Sequence, residues 1–230
     1  MCSDPKKPGT LHYTGSGANE YQQAIAQIGT IISPYDIDQK FPVSTRQFCF
    51  IVSRFDTCQW QVYGFGGKYR GQVNHCFPLN GNDNNPEVLG LPGIMSVYSE
   101  AIFKYELYGP TLFQNIIAET VKQATFSKNS QASRNYTILL ILTDGQINGT
   151  SISTLCNKTN KKVTDMDQTI LQIIRGSSLP MSIIIVGVGS ADFSSMETLD
   201  SDDRKLTING QTATRDIVQV RICLIRKLWK

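Results

Sequence analysis

The sequence of 230 residues lacks the patterns that define several functional classes. It has two histidines and six cysteines, and no two cysteines are spaced as CxxC, which argues against a zinc cluster. No apolar run approaches the roughly 20 residues that a membrane-spanning helix needs. Residues 1–8 (MCSDPKKP) carry no secretory apolar core, and a net charge of +3 is too small to indicate nucleic-acid binding. We therefore expect a cytoplasmic protein with reduced thiols that binds no nucleic acid.

Motifs of common enzymes are also missing from the sequence. No glycine-rich GxxxxGK[ST] loop is present to bind phosphates. Beyond residue type, nothing supports a Ser/His/Asp or Cys/His catalytic arrangement. The sequence therefore predicts no enzyme activity and no catalytic residue.

What the sequence does contain is an alternation of helical and strand patterns. Hydrophobic residues make up 40% of the chain, which is enough for a packed core. Nearly continuous apolar runs predict strands that are buried on both faces, as in a parallel sheet, at 136–143 and 182–189. Apolar residues at helical spacing predict helices over 19–33, 89–105, 111–124 and 165–177. This alternation predicts an α/β fold with helices on both faces of the sheet.

Two polar residues lie where such a sheet binds ligands, which is the edge formed by the carboxyl ends of its strands. Asp144 directly follows the first buried strand and precedes Gly145, so it either positions a carboxylate for a ligand or forms an ordinary Asp-Gly turn. Thr111 follows Pro110 at the start of a predicted helix, where it either caps that helix or contributes a hydroxyl to the same ligand. A hydroxyl and a carboxylate at one edge would suit magnesium, which prefers oxygen ligands.

Seven short segments, in this order along the chain, resemble one known family. They are 11–13 (LHY), 19–21 (NEY), 35–38 (YDID), 108–111 (YGPT), 143–145 (TDG), 179–189 (LPMSIIIVGVG) and 215–219 (RDIVQ). Together they resemble the von Willebrand factor A-type (vWA) domain of the copine family. The resemblance implies a Rossmann-like, mostly parallel sheet with helices on both faces. The domain is also similar to that of plant ubiquitin ligases that carry a RING module.

The resemblance implies a divalent-cation site of which this sequence has only a part. In vWA domains of this kind, the metal-ion-dependent adhesion site combines a DxTxS-type loop after the first strand, a threonine and an aspartate. Thr111 matches the threonine and Asp144 matches the aspartate. The DxTxS-type loop would stand just before Asp4, so we expect the chain to lack that loop together with the first, central strand. The intact family would bind magnesium or another divalent cation there, and we predict weak binding or none in this chain.

Three segments depart from the family pattern. We assign residues 4–219 to the copine-type vWA domain, with insertions near 43–61 and 148–163, and residues 220–230 to a tail unlike the family. The insertions are either ordinary surface loops or retained introns and gene-model errors, because codons at their ends could resemble splice sites. The second insertion follows Asp144 closely and could cover the ligand edge.

The function that the resemblance implies is a protein-interaction domain. Copines carry two N-terminal calcium-dependent phospholipid-binding modules, so the intact relative would associate with the plasma membrane when calcium rises. This chain would recruit intracellular proteins, and it would reach phospholipid only through those modules, which are absent from its sequence. One alternative is a fragment related to RING-type ubiquitin ligases, although the cysteine spacing, His12 and His75 supply no zinc array. Another is a non-functional gene-model fragment whose incomplete sheet leaves strand edges open.

Overall fold

The computed structural model describes residues 5–15, 17–32, 48–51, 59–110, 112–129, 136–144, 151–155, 162–201 and 204–223. The helices in these residues are α1 (Glu20–Ile32), α2 (Gly90–Lys104), α3 (Gln114–Asn129), α4 (Asp165–Gly176) and α5 (Ser194–Glu197). The strands are β1 (Phe48–Ile51), β2 (Gln59–Gly64), β3 (Gly67–Tyr69), β4 (Gln72–Asn74), β5 (Phe77–Pro78), β6 (Glu87–Leu89), β7 (Glu106–Leu107), β8 (Thr137–Thr143), β9 (Ser151–Leu155), β10 (Lys162–Thr164), β11 (Met181–Val188), β12 (Thr207–Ile208), β13 (Gln211–Thr212) and β14 (Val218–Cys223).

The main sheet confirms the predicted α/β fold. Its strand order is β14–β11–β8–β1–β2–β5, and β6 also pairs with β2. The two strands predicted from apolar runs, β8 and β11, pair in parallel, and β14 pairs in parallel with β11. Strand β14 extends to Cys223, across the predicted boundary between domain and tail at residue 219.

The middle of this sheet is occupied by a strand from the first predicted insertion. Phe48 of β1 stands opposite Leu142 of β8 on one side and Gly64 of β2 on the other, and both pairings are antiparallel. We expected a sheet without its first, central strand. The sheet has no gap between β2 and β8, because residues 48–51 lie there and run against both neighbours.

Two apolar clusters lie on the two faces of the sheet. Successive residues of a strand point to opposite faces, and accordingly Leu140 belongs to one cluster and Leu139 to the other. The first cluster contains the buried residues of α1 and α2, and the second contains those of α3 and α4. Helices therefore cover both faces, as predicted. Among the described residues, no helix is long and apolar enough to cross a membrane.

The predicted helix boundaries hold closely for α1, α2 and α4, but not for α3. Asn19 caps α1 as predicted, because its Oδ1 accepts a hydrogen bond of 2.8 Å from the Gln22 backbone N–H. Helix α3 was expected to begin at residue 111 and instead begins at Gln114, with its first turn closed by a hydrogen bond from Ile117 N–H to the Phe113 carbonyl. Phe113 therefore stands at the cap position of α3 and the predicted helix start at residue 111 is wrong, while Thr111 itself lies outside the described residues.

The N-terminal segment packs on the first face through a buried polar group. His12 is 1% exposed, its Nδ1 lies 2.8 Å from the Tyr98 hydroxyl, and its ring stacks on Tyr21 with centroids 4.7 Å apart. The Asn19 amide donates to both the His12 carbonyl and the Tyr98 hydroxyl, at 3.2 and 3.0 Å. These bonds join the segment before α1 to α2.

Strand β14 ends the main sheet on one side, and two aspartates bond to its backbone there. Val218 N–H donates to Asp216 Oδ1 at 3.0 Å, and Val220 N–H donates to Asp200 Oδ2 at 2.9 Å. The N–H groups of Val218 and Val220, on the side of β14 that faces away from β11, are thus both bonded to aspartate carboxylates.

Candidate functional site

Several elements meet at the edge of the sheet where β8 ends. Strand β2 runs antiparallel to β1, and β1 runs antiparallel to β8, so β2 and β8 point the same way as β11 and β14. Helix α4 precedes β11, and β11 begins at the opposite edge of the sheet. The helix therefore ends near that opposite edge and starts near the edge where β8 ends. We call this edge, with Asp144 and the residues that follow β2 and β11, the ligand edge. Its position agrees with the general rule for open α/β sheets.

Asp144 lies at the ligand edge, where the sequence predicted it. It directly follows Thr143, which stands opposite Gly187 in the parallel pairing of β8 with β11. Asp144 is 5% exposed and Thr143 is 1% exposed. The Asp144 carboxylate is thus buried at the end of two parallel strands, while Gly145, the second residue of the Asp-Gly turn considered above, lies outside the described residues.

Thr111 lies outside the described residues, but the loop around it is fixed on both sides. We call residues 108–113 the threonine loop. At its start, the Tyr108 N–H donates to the Gly66 carbonyl at 2.8 Å. At its end, the Phe113 ring packs edge-on against the Phe65 ring, with centroids 5.5 Å apart and planes at 84°. Because Phe65 and Gly66 directly follow β2, the threonine loop begins and ends at the ligand edge.

The inserted strand sets the spacing across this edge. Adjacent strands lie about 4.8 Å apart, so Gly64 of β2 and Leu142 of β8, with β1 between them, are about 10 Å apart. Since β1 runs against both, its first residue, Phe48, lies at the ligand edge and its last residue, Ile51, lies at the opposite one. Of the four residues of β1, Phe48 is therefore the one at the same edge as Asp144.

Apolar side chains close the end of β11 beside Asp144. A methyl group on Gly187 would lie 2.8 Å from the Phe193 ring, and one on Gly189 would lie 3.0 Å from Leu11 Cδ1. Gly189 also has a φ of +90°, a conformation that side chains disfavour. Both glycines thus permit a close cover over the strand end, which limits the access of water from that side.

The described residues fit a magnesium ion only in part. Asp144 supplies a buried carboxylate, but nowhere in the described ranges do three or more His, Cys, Asp or Glu side chains form a group that could hold a metal. Magnesium prefers six oxygen ligands in near-octahedral geometry and retains several waters when few protein ligands are present. Ligation by Thr111 and Asp144, and the weak binding expected from them, both stay predictions.

One residue of interest at this edge was not singled out from the sequence. Asp165, the first residue of α4, is 0% exposed, and its burial raises the pKa of its carboxyl group to about 7. The backbone N–H of Phe113 lowers this pKa to a smaller extent, although neither carboxyl oxygen makes a well-formed hydrogen bond among the described residues. Helical spacing offered a signal, because Asp165 shares the face of Thr169 and Ile173, both of which are buried.

Comparisons with known proteins agree with this architecture. A family model described as Copine matches residues 44–223. The chain is 38% identical to Copine-A of Dictyostelium discoideum over 219 residues, which are 94% of this chain and 30% of that protein. It is 38% identical to Protein BONZAI 1 of Arabidopsis thaliana over 221 residues, 94% of this chain and 32% of that protein. It is 36% identical to Copine-C of Dictyostelium discoideum over 212 residues, 91% of this chain and 33% of that protein. The chain spans about a third of the length of these curated relatives.

Proposed function

Because this chain belongs to the copine family, we propose that it is a protein-interaction domain that binds partner proteins at the ligand edge. The observation that carries the proposal is the buried carboxylate of Asp144 at the end of β8, beside the fixed ends of the threonine loop. A carboxylate held at a defined place in the sheet suits a cationic or hydrogen-bond-donating group of a partner, directly or through a cation.

A metal-dependent contact is the finer form of this proposal. Thr111 and Asp144 would hold magnesium or another divalent cation, which would supply a positive charge to attract an acidic partner group. With these two ligands alone the ion retains most of its waters, so the affinity is low. Calorimetric titration with magnesium should therefore give no micromolar binding. Micromolar binding that Asp144→Ala removes would refute this expectation.

Calcium-dependent association with phospholipid at the plasma membrane is a proposal for the whole relative. It would be carried by segments outside the third of the relatives' length that this chain matches. No enzyme activity is proposed, because nothing in the described part of the ligand edge pairs a nucleophile with a base. None of the three relatives' names states an enzyme activity.

Partner capture with two matched variants tests the proposed binding edge. Asp144→Asn removes a charge at the ligand edge, and Asp216→Asn removes one at the opposite edge, where β14 begins. Each immobilised variant would be incubated with cell extract, with and without magnesium, and the bound proteins identified by mass spectrometry. We expect Asp144→Asn to lose proteins that the wild type and Asp216→Asn both retain. Equal capture by all three chains would refute binding at the ligand edge.

A further inference from the structure

The dipeptide Asn-Gly occurs in this chain at residues 80–81, 148–149 and 209–210. It is prone to spontaneous loss of the asparagine amide group, because glycine has no side chain to obstruct attack by its own backbone nitrogen. Residues 148 and 149 lie outside the described residues. The other two pairs differ in how the structure holds the groups that react.

The reaction needs the glycine backbone nitrogen to meet the side-chain amide of the asparagine. The nitrogen attacks Cγ and a C–N bond forms. The bond from Cγ to Nδ2 then breaks, and ammonia leaves with the proton of the glycine N–H. Water opens the resulting succinimide ring at either carbonyl group, which gives aspartate or isoaspartate. No oxidant or reductant takes part.

Hydrogen bonds hold both reacting groups of the pair formed by Asn80 and Gly81. The Asn80 Oδ1 accepts from the Asn82 N–H at 2.9 Å, and the Asn80 Nδ2 donates to the Asn85 carbonyl at 2.8 Å. The Gly81 N–H, which carries the attacking nitrogen, donates to the Pro78 carbonyl at 3.0 Å. Attack at this pair would therefore have to break bonds at the nitrogen and at the amide together.

Asn209 and Gly210 form the exposed tip of the hairpin of β12 and β13. Ile208 stands opposite Gln211, so these two residues are the whole turn. Their φ angles are +49° and +77°, and positive values at both positions are typical of a two-residue hairpin turn. Within the part of the chain that the structure describes, neither the Gly210 N–H nor the Asn209 side chain has a hydrogen-bond partner.

The tip of this hairpin can change its backbone conformation at little cost. A positive φ is unfavourable for a residue with a Cβ, although asparagine tolerates it. The strands are only two residues long, and so short a hairpin adds little stability of its own. Its base is held, since the Ala213 N–H donates to the Leu206 carbonyl at 2.9 Å. The tip can therefore open and bring the Gly210 nitrogen to Asn209 Cγ while the rest of the fold stays closed.

We propose that Asn209 deamidates spontaneously in the folded protein, whereas the fold protects Asn80 from the same reaction. The product adds a negative charge to the hairpin, and isoaspartate also lengthens the backbone of a two-residue turn. The Thr214 N–H, shortly after β13, donates to the Ser177 hydroxyl at the end of α4 at 2.9 Å. The hairpin thus lies near the end of α4 that is remote from the ligand edge, so this inference is independent of the proposed function.

The two pairs serve as controls for each other within one molecule. The folded chain would be incubated at mildly alkaline pH, and samples taken over time would be digested at mildly acidic pH. Peptide mass spectrometry would then measure the deamidated fraction at Asn80 and at Asn209. A parallel sample in concentrated urea gives the rate at each site without the fold.

We expect Asn209 in the folded chain to react at about the rate that it has in urea. Asn80 should react about tenfold more slowly than in urea, or slower still, because each hydrogen bond that must open lowers the reactive fraction several-fold. Equal protection of both sites by the fold, or protection of neither, would refute the proposal.

Asn209→Gly is the matched variant, because glycine accepts a positive φ and keeps the turn while it removes the reactive amide. After the same incubation, isoelectric focusing should show more of an acidic form in the wild type than in Asn209→Gly. Any reaction at Asn148 is common to both chains and does not affect the difference. Equal amounts of the acidic form in the two chains would contradict the assignment to Asn209.

Discussion

Replacement of Asp165 by asparagine should stabilise the protein at neutral and alkaline pH, and the size of the effect follows from its burial. The pKa of this carboxyl rises from its ordinary value of 3.8 to about 7 in the folded chain, chiefly because burial penalises the charged form. Between these two values the folded state keeps a proton that the unfolded state has released. The free energy of unfolding contributed by Asp165 therefore falls as pH rises from about 4 to about 7, and stays low above that range.

The magnitude is bounded by the shift of about three pKa units. Each unit corresponds to about 1.4 kcal/mol, so the ionised carboxyl lowers the stability of the wild type by about 4 kcal/mol at most above pH 7. Structural relaxation and entry of water reduce this figure. The asparagine side chain has no proton to release, so the Asp165→Asn variant avoids this loss while it keeps a polar group of the same shape.

The assay is urea unfolding followed by circular dichroism at a series of pH values. The difference in unfolding free energy between Asp165→Asn and the wild type should grow in favour of the variant as pH rises from about 4 to about 7. Asp216→Asn changes an exposed carboxyl at the opposite edge of the sheet. Its unfolding free energy should fall over this pH range as that of the wild type does. A difference between Asp165→Asn and the wild type that does not change with pH would refute the buried, proton-binding description of Asp165.

Three further substitutions test the packing and hydrogen bonds that support the ligand edge, each by the same unfolding assay. Gly187→Ala should destabilise the protein by about 1–3 kcal/mol, because the added methyl would lie 2.8 Å from the buried Phe193 ring, and a neutral result would show that the ring moves freely. Tyr98→Phe should cost about 1–3 kcal/mol, because it leaves buried His12 without its hydroxyl partner, and no loss would mean that the bond is dispensable. Thr164→Ala should cost about 1 kcal/mol through loss of the α4 cap, and retained stability would contradict the capping geometry.

The fold was predictable from the sequence where local pattern and burial agree. The apolar runs of β8 and β11 are buried on both faces, so their composition alone indicates central parallel strands. The start of α4 was predictable for a similar reason, since Thr164 and Asp167 form a capping box that depends on residues three apart. Strand β14 and its parallel pairing with β11 were not predicted, because the sequence analysis placed the end of the domain at residue 219, inside this strand.

The position of β1 could not be predicted, because it depends on pairing with strands that are distant along the chain. Its four residues pair with β2 and with β8, and the partner in β8 opposite Phe48 is Leu142. A short apolar segment is compatible with a strand, a helix or a loop until its neighbours are known. The origin of the insertions stays a prediction, and transcript sequencing across residues 43–61 and 148–163 would decide it.

The candidate site was predictable at Asp144, whose place after a buried strand is a local feature. The threonine loop was harder to predict, because Phe113, which precedes α3, packs on Phe65 from elsewhere in the chain. The burial of Asp165 depends on the packing of α3 against α4, so helical spacing could suggest the buried face but not the raised pKa.

The two aspartates beside β14 have a consequence for the behaviour of many copies of this chain at high concentration. Where Val218 and Val220 already donate to Asp216 and Asp200, a strand of a second molecule finds those donors occupied and meets two carboxylates. Intermolecular extension of the sheet, which is a first step toward fibrous aggregates, would have to break these bonds and bury both charges. At Val218 and Val220, turn and loop residues thus oppose polymerisation along β14.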